Sequence, residues 1–184
     1  MIKDLPPSFK FLFLFISLVT LWFTTYHNFY NLQFIFGEYD LLTSFSILLG
    51  KQSNYLLELF AFDTDIEIHG DMVVSKVLNY DHQHGVWIGE PCNGVKIFGV
   101  FSIFILCFRK NWINKLWFIP LGIVLLHFIN VIRVTILTFI AAVNPNLLNF
   151  NHNITFQLII YASMLMLWFL YIKKFSDTKW EKSS

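Results

Sequence analysis

The chain has 184 residues, 56% of them hydrophobic and only 14% charged, with thirteen basic side chains against twelve acidic ones for a net charge of +1. Such a composition is too apolar for an ordinary soluble domain and makes a lipid bilayer the expected partner. The near-zero charge leaves no basic surface for a polyanion, so nucleic-acid binding is excluded.

Four stretches approach the roughly 20 apolar residues that a membrane span needs: 9–25, 95–108, 116–143 and 154–172. The first follows Lys3 and Lys10 in the manner of a signal peptide, but Thr24, Thr25, Tyr26 and His27 offer no small-x-small cleavage site, so a retained anchor is expected. Cytoplasmic flanks carry the excess of lysine and arginine. Lys3 and Lys10 precede the first span, Arg109, Lys110 and Lys115 fall between the second and third, and Lys173 and Lys174 follow the fourth. With all of these inside, segment 26–91 and the loop 144–151 lie outside. The protein is then expected in the inner (cell) membrane as a multi-pass protein.

Segment 41–62 is also hydrophobic, but a crossing there would put either the amino terminus or the 63–91 loop on the wrong side. Lys51, Asn54 and Glu58 interrupt it at spacings that suit one polar helix face. An amphipathic helix lying on the outer interface is expected. Beyond it, 66–69 and 72–78 alternate like short strands turning at Gly70 and Asp71, with 86–88 as a candidate third. The expected fold is therefore an all-α integral membrane protein, one membrane domain over 1–184. It has four transmembrane helices, an interfacial helix and a small extracytoplasmic β-hairpin.

Asp81, His82, Gln83 and His84 give a zinc alternative, because alternate strand residues share a face and His69 or Asp81 would complete a set. An exposed polar loop explains the same residues with no ligand, so neither metal nor organic cofactor is expected. Of the two cysteines, Cys107 lies about 22 Å along a helix from Cys92, too far to pair with it, and reads as a buried, inert thiol.

Arg133 sits inside a span, where a cation costs some ~2.5 kcal/mol or more near the centre. Snorkelling to the headgroups is the bland explanation. Counting 1.5 Å per helical residue from the cytoplasmic charges, however, Cys92 lies about 25 Å above Arg109, Arg133 about 27 Å above Lys115, and His152 about 31 Å above Lys173. Three segments bring three reactive groups to nearly one outer level. They suit acyl transfer: a thiolate attacks a carbonyl, an imidazole carries the proton, and a fixed cation offsets the charge on the tetrahedral oxygen. Which of them touch is open, since helix rotation is not readable from one sequence.

Cys92 stands in Gly89-Glu90-Pro91-Cys92-Asn93-Gly94, a loop-to-helix junction where Pro91 stops a strand and Gly94 permits close backbone approach. A helix amino terminus there lowers a thiol pKa. Asn130, three residues before Arg133 on the same face, either orients the guanidinium or a substrate carbonyl or packs between helices. His127 continues that stripe and reads as a packed polar residue.

Pro91-Cys92-Asn93-Gly94 heading one span, Asn130-Val131-Ile132-Arg133-Val134 inside the next and His152 opening the last resemble the three signature blocks of the exosortase/archaeosortase family, in order and spacing. The matching region runs from 89 to 171. The resemblance implies a membrane cysteine transpeptidase or protease with Cys92, Arg133 and His152 as catalytic residues, supported by Asn130, Asn93 and Gly94. It implies as substrate an exported protein with a carboxy-terminal sorting signal, made of a short motif, a span and a basic tail. Asn93 departs from the serine usual after the cysteine, and four spans are fewer than many relatives have, as in the compact exosortases of Bacteroidetes. The rival expectations are a non-catalytic assembly factor of an envelope export system, and a metal-dependent hydrolase using 81–84.

Overall fold

The computed structural model describes residues 6–26, 40–70, 72–80, 85–89, 92–108 and 112–175. Lys3, Asp71, the Asp81-His82-Gln83-His84 string, Glu90, Pro91, Arg109 and Lys110 lie outside the described residues.

Helix α1 (Pro7–Tyr26) opens on a proline, whose missing N–H costs nothing at a first helical position. Its threonines turn their hydroxyls back onto the helix, Thr20 donating to the Ile16 carbonyl at 2.9 Å and Thr25 to that of Leu21 at 2.8 Å. That hides polar groups which hydrocarbon would not solvate. Helix α2 (Leu41–Leu59) is capped by Asp40, whose carboxylate accepts from the N–H groups of Leu42 at 2.9 Å and Thr43 at 3.0 Å.

Strands β1 (Thr64–His69), β2 (Met72–Val77) and β3 (Val86–Ile88) form one antiparallel sheet in that order. Its first connection closes on the pair His69 and Met72, with Gly70 at φ +64°. A positive φ is the reason for glycine at this turn. The expected hairpin is thus a three-stranded sheet, because Val86–Ile88 adds to β2 in the register Ser75 to Val86 and Val73 to Ile88. Val73, Ser75, Val77, Val86 and Ile88 are buried. Asp65, Glu67 and Lys76 occupy the opposite face, where Lys76 pairs with both acids.

Helix α3 (Val95–Cys107) and the long α4 (Trp112–Val143) follow. A tight turn at Pro145–Leu147, the single-turn α5 (Leu148–Phe150) and a π-type turn (Asn151–Thr155) then lead into α6 (Phe156–Phe175). Three helical runs are long and apolar enough to cross a membrane: Pro7–Tyr26, Trp112–Val143 and Pro145–Phe175, while α3 is a shorter apolar helix of 13 residues. Glycines let the helices close up, for a Cβ at Gly99 would collide with the Trp22 ring and one at Gly122 with the Phe101 ring. Phe104 stacks on Trp168 at 3.9 Å and tethers α3 to α6.

Two expectations are corrected. Of the polar face expected from Lys51, Asn54 and Glu58, Asn54 is not solvated: it is 5% exposed, donates to the Asp65 carbonyl at 3.1 Å and accepts from the Ser75 hydroxyl, which Thr138 approaches in turn. The amide is buried because the strands satisfy both its ends, whereas Lys51 and Glu58 stay exposed. Helix α2 runs beside the second half of α4, with Phe45 edge-on to His127, Leu49 in the core with Val134, and Leu57 with Ala142. Second, Lys115 does not lie in a turn. Helix α4 starts three residues earlier, at Trp112, and the buried ammonium donates to the Leu106 carbonyl at 3.0 Å and to that of Phe108, closing the end of α3.

Candidate active site

The site forms where β3 hands over to α3. Val86 and Ile88 anchor β3 in the core with Val131 and Val134 of α4. The chain then turns on Gly89, whose carbonyl accepts from the N–H groups of Cys92 at 2.9 Å and Asn93 at 3.0 Å. Asn93 accepts with Oδ1 from the Val95 N–H at 3.1 Å, an Asx cap on the first turn of α3. Gly94 has φ +80°, and a Cβ on it would meet Asn130 Nδ2 at 3.1 Å and the Phe98 ring at 3.2 Å. Both the conformation and the lack of room call for glycine.

That turn holds Cys92 at 2% exposure with its Sγ 3.1 Å from His152 Nε2, a contact between residues 60 positions apart. His152 is presented by the π-type turn, where one extra residue per turn changes the direction in which side chains leave a helix. Its Nδ1 lies 3.0 Å from Asn153 Oδ1. Nδ1–H donating to that oxygen leaves the Nε2 lone pair to accept the thiol proton. Asn153 was not anticipated from the sequence; its only signal there is adjacency to His152.

Arg133 is tied to the Cys92 backbone through an intermediary. Its Nη1 donates to Asn130 Oδ1 at 3.4 Å, and Asn130 Nδ2 donates to the Cys92 carbonyl at 2.7 Å. Asn130 therefore ties the guanidinium to the cysteine turn with both ends of its amide. Arg133 is 4% exposed, pairs with no acid among the described residues, and its Nε and Nη2 have no hydrogen-bond partner. These two nitrogens share one edge of the guanidinium, the edge that grips an oxyanion with parallel bonds.

Burial is the largest influence on the Cys92 thiol and pushes its pKa up. It is outweighed by the His152 hydrogen bond, then by the Arg133 and His152 charges and the hydrogen bond to Gly89, so the thiol ionises below its ordinary range. All six residues expected at the site, Cys92, Asn93, Gly94, Asn130, Arg133 and His152, sit together. His127 is apart: its Nε2 lies 2.7 Å from Gln52 Oε1 and it packs between Phe45 and Phe98. Cys107 is buried at the far end of α3 with a free thiol. Among the described residues no group of histidine, cysteine and acidic side chains could hold a metal.

No family model, curated protein or solved structure matches the chain. The resemblance to the exosortase/archaeosortase family is accordingly one of short motifs, carried by Cys92, Arg133, His152 and their neighbours.

Proposed function

We propose that the chain is a membrane cysteine transpeptidase or peptidase of the exosortase kind, cleaving a carboxy-terminal sorting signal from exported proteins at the extracytoplasmic face. The observation that carries this reading is the 3.1 Å approach of Cys92 Sγ to His152 Nε2 beside a buried arginine with an unspent edge. A merely packed cysteine needs neither neighbour, and a buried cation without an acid costs several kcal/mol. On this reading α3 crosses the membrane as the second of four spans, with 26–91 and the sheet outside. Thirteen helical residues reach only about 20 Å, short of the ~30 Å hydrocarbon core, so the cysteine turn sits below the outer surface.

In the reaction, His152 Nε2 takes the thiol proton as sulfur bonds to the scissile carbonyl carbon. The electron pair moves to the carbonyl oxygen, where Arg133 offsets its charge. Collapse breaks the C–N bond, the leaving amine takes the proton back from His152, and an acyl-thioester remains on Cys92. An amine acceptor or water, deprotonated by His152, then attacks the thioester and frees the thiol. Asn130 is a positioning residue throughout.

The test is mass spectrometry of exported proteins from cells carrying the wild type or Cys92→Ala. Shortened carboxy termini are expected with the wild type alone. Identical processing in the variant would leave the chain as an assembly factor without cysteine chemistry.

A further inference from the structure

Cysteine enzymes commonly stabilise the tetrahedral oxygen with backbone N–H groups beside the nucleophile. Here the N–H groups of Cys92 and Asn93 both donate to the Gly89 carbonyl, at 2.9 and 3.0 Å, and that of Val95 donates to Asn93 Oδ1. Asn130 spends its Nδ2 on the Cys92 carbonyl. The turn that shapes the nucleophile has consumed these donors.

Among the described side chains of this turn, one neutral donor is unspent. Asn93 is fully buried at 0% exposure, and its Nδ2 has no hydrogen-bond partner among the described residues. Because Oδ1 is held by Val95, the amide cannot flip without losing its cap, which fixes Nδ2 on the other branch. An orphaned buried amide is destabilising, a cost that makes sense if an acceptor arrives during function. Other unspent side-chain donors are Nε and Nη2 of Arg133, linked through Asn130 to the same turn.

We infer that Asn93 is a further catalytic residue, its Nδ2 donating to the developing oxyanion alongside the Nε/Nη2 edge of Arg133, so that side chains contribute to the oxyanion hole. This rests on the acyl-transfer reading and extends it to a residue one position past the nucleophile. The division of labour follows from the chemistry: the arginine supplies charge, and the amide, held by its cap, supplies direction.

The test uses the full chain in detergent with Cys107→Ser as background. N-acetylglycinal forms a reversible hemithioacetal with a nucleophilic thiol, and its tetrahedral oxygen occupies the hole; iodoacetamide alkylates the same thiol without creating an oxyanion. Protection of Cys92 from iodoacetamide by the aldehyde gives the adduct's affinity. The limiting alkylation rate at high pH, where ionisation is complete, reports the nucleophile itself. Asn93→Asp keeps the cap and loses the donor, and Asn93→Ala loses both. Both are expected to weaken the aldehyde about tenfold or more while the limiting alkylation rate stays within about threefold. Wild-type affinity in Asn93→Asp with a loss in Asn93→Ala would reduce Asn93 to a cap, and the reverse would reduce the effect to charge repulsion; either overturns the inference. So would a wild-type thiol that the aldehyde does not protect. The acyl-transfer reading is judged apart from these outcomes, by the processing lost or kept in Cys92→Ala.

Discussion

Replacing His152 with alanine removes the strongest of the influences that favour the Cys92 thiolate. The 3.1 Å contact becomes a charge-assisted hydrogen bond once the proton has moved, and such bonds are worth about 1.5–3 kcal/mol. Burial, the largest influence of all, acts the other way and would be left opposed chiefly by the Arg133 charge. A weaker acid is ionised only at higher pH, so the pH profile of alkylation must move to the alkaline side. At neutral pH, the loss corresponds to roughly a 10- to 100-fold smaller thiolate population. The assay is iodoacetamide alkylation of the full chain against pH, followed by mass spectrometry of the Cys92 peptide. The wild-type profile should rise below the ordinary thiol range and that of His152→Ala above it. Superimposable profiles would mean that the imidazole does not govern the thiol, and would refute the pairing.

Ser75→Ala strips the partner from Asn54 Oδ1 in the buried chain from Asn54 to Thr138, and should cost about 1–3 kcal/mol by thermal unfolding in detergent, against little for Lys51→Ala. Gly122→Val drives a branched side chain into the Phe101 ring and should destabilise by about 1–3 kcal/mol in the same assay. Lys115→Met keeps the apolar stem but leaves the Leu106 and Phe108 carbonyls without their donor, so lower thermal stability is expected with Cys92 alkylation unchanged. Cys107→Ser should leave carboxy-terminal processing intact.

Much of the site was legible because depth in a bilayer is a one-dimensional quantity. Counting helical rise from Lys115 and Lys173 brings Arg133 and His152 to one height whatever the rotation of each helix. Rotation decides contact, however, and it depends on the π-type turn at Asn151–Thr155, which changes the register by a residue where the sequence, Asn-His-Asn-Ile-Thr, carries no signal of it. For the same reason the sequence leaves Asn130 between orienting the guanidinium or a substrate carbonyl and packing between helices, and its bond to the Cys92 carbonyl was not anticipated. In α2 the spacing of Lys51, Asn54 and Glu58 suggested a polar face, but periodicity does not reveal which polar group finds a partner. Asn54 finds its partners on β1 and β2, 11 and 21 residues further along the chain. Lys115 misled similarly, since a cation at a helix end serves equally as a topogenic charge and as a cap on carbonyls.

If Cys92 is the nucleophile, it carries an acyl group during turnover. The direct measurement is the mass of the Cys92 peptide from protein isolated out of its native membrane and kept acidic to preserve thioesters. An added acyl mass that hydroxylamine removes, absent in Cys92→Ala, is expected. A free Cys92 thiol in membranes that are processing substrate, or an adduct confined to Cys107, would contradict it.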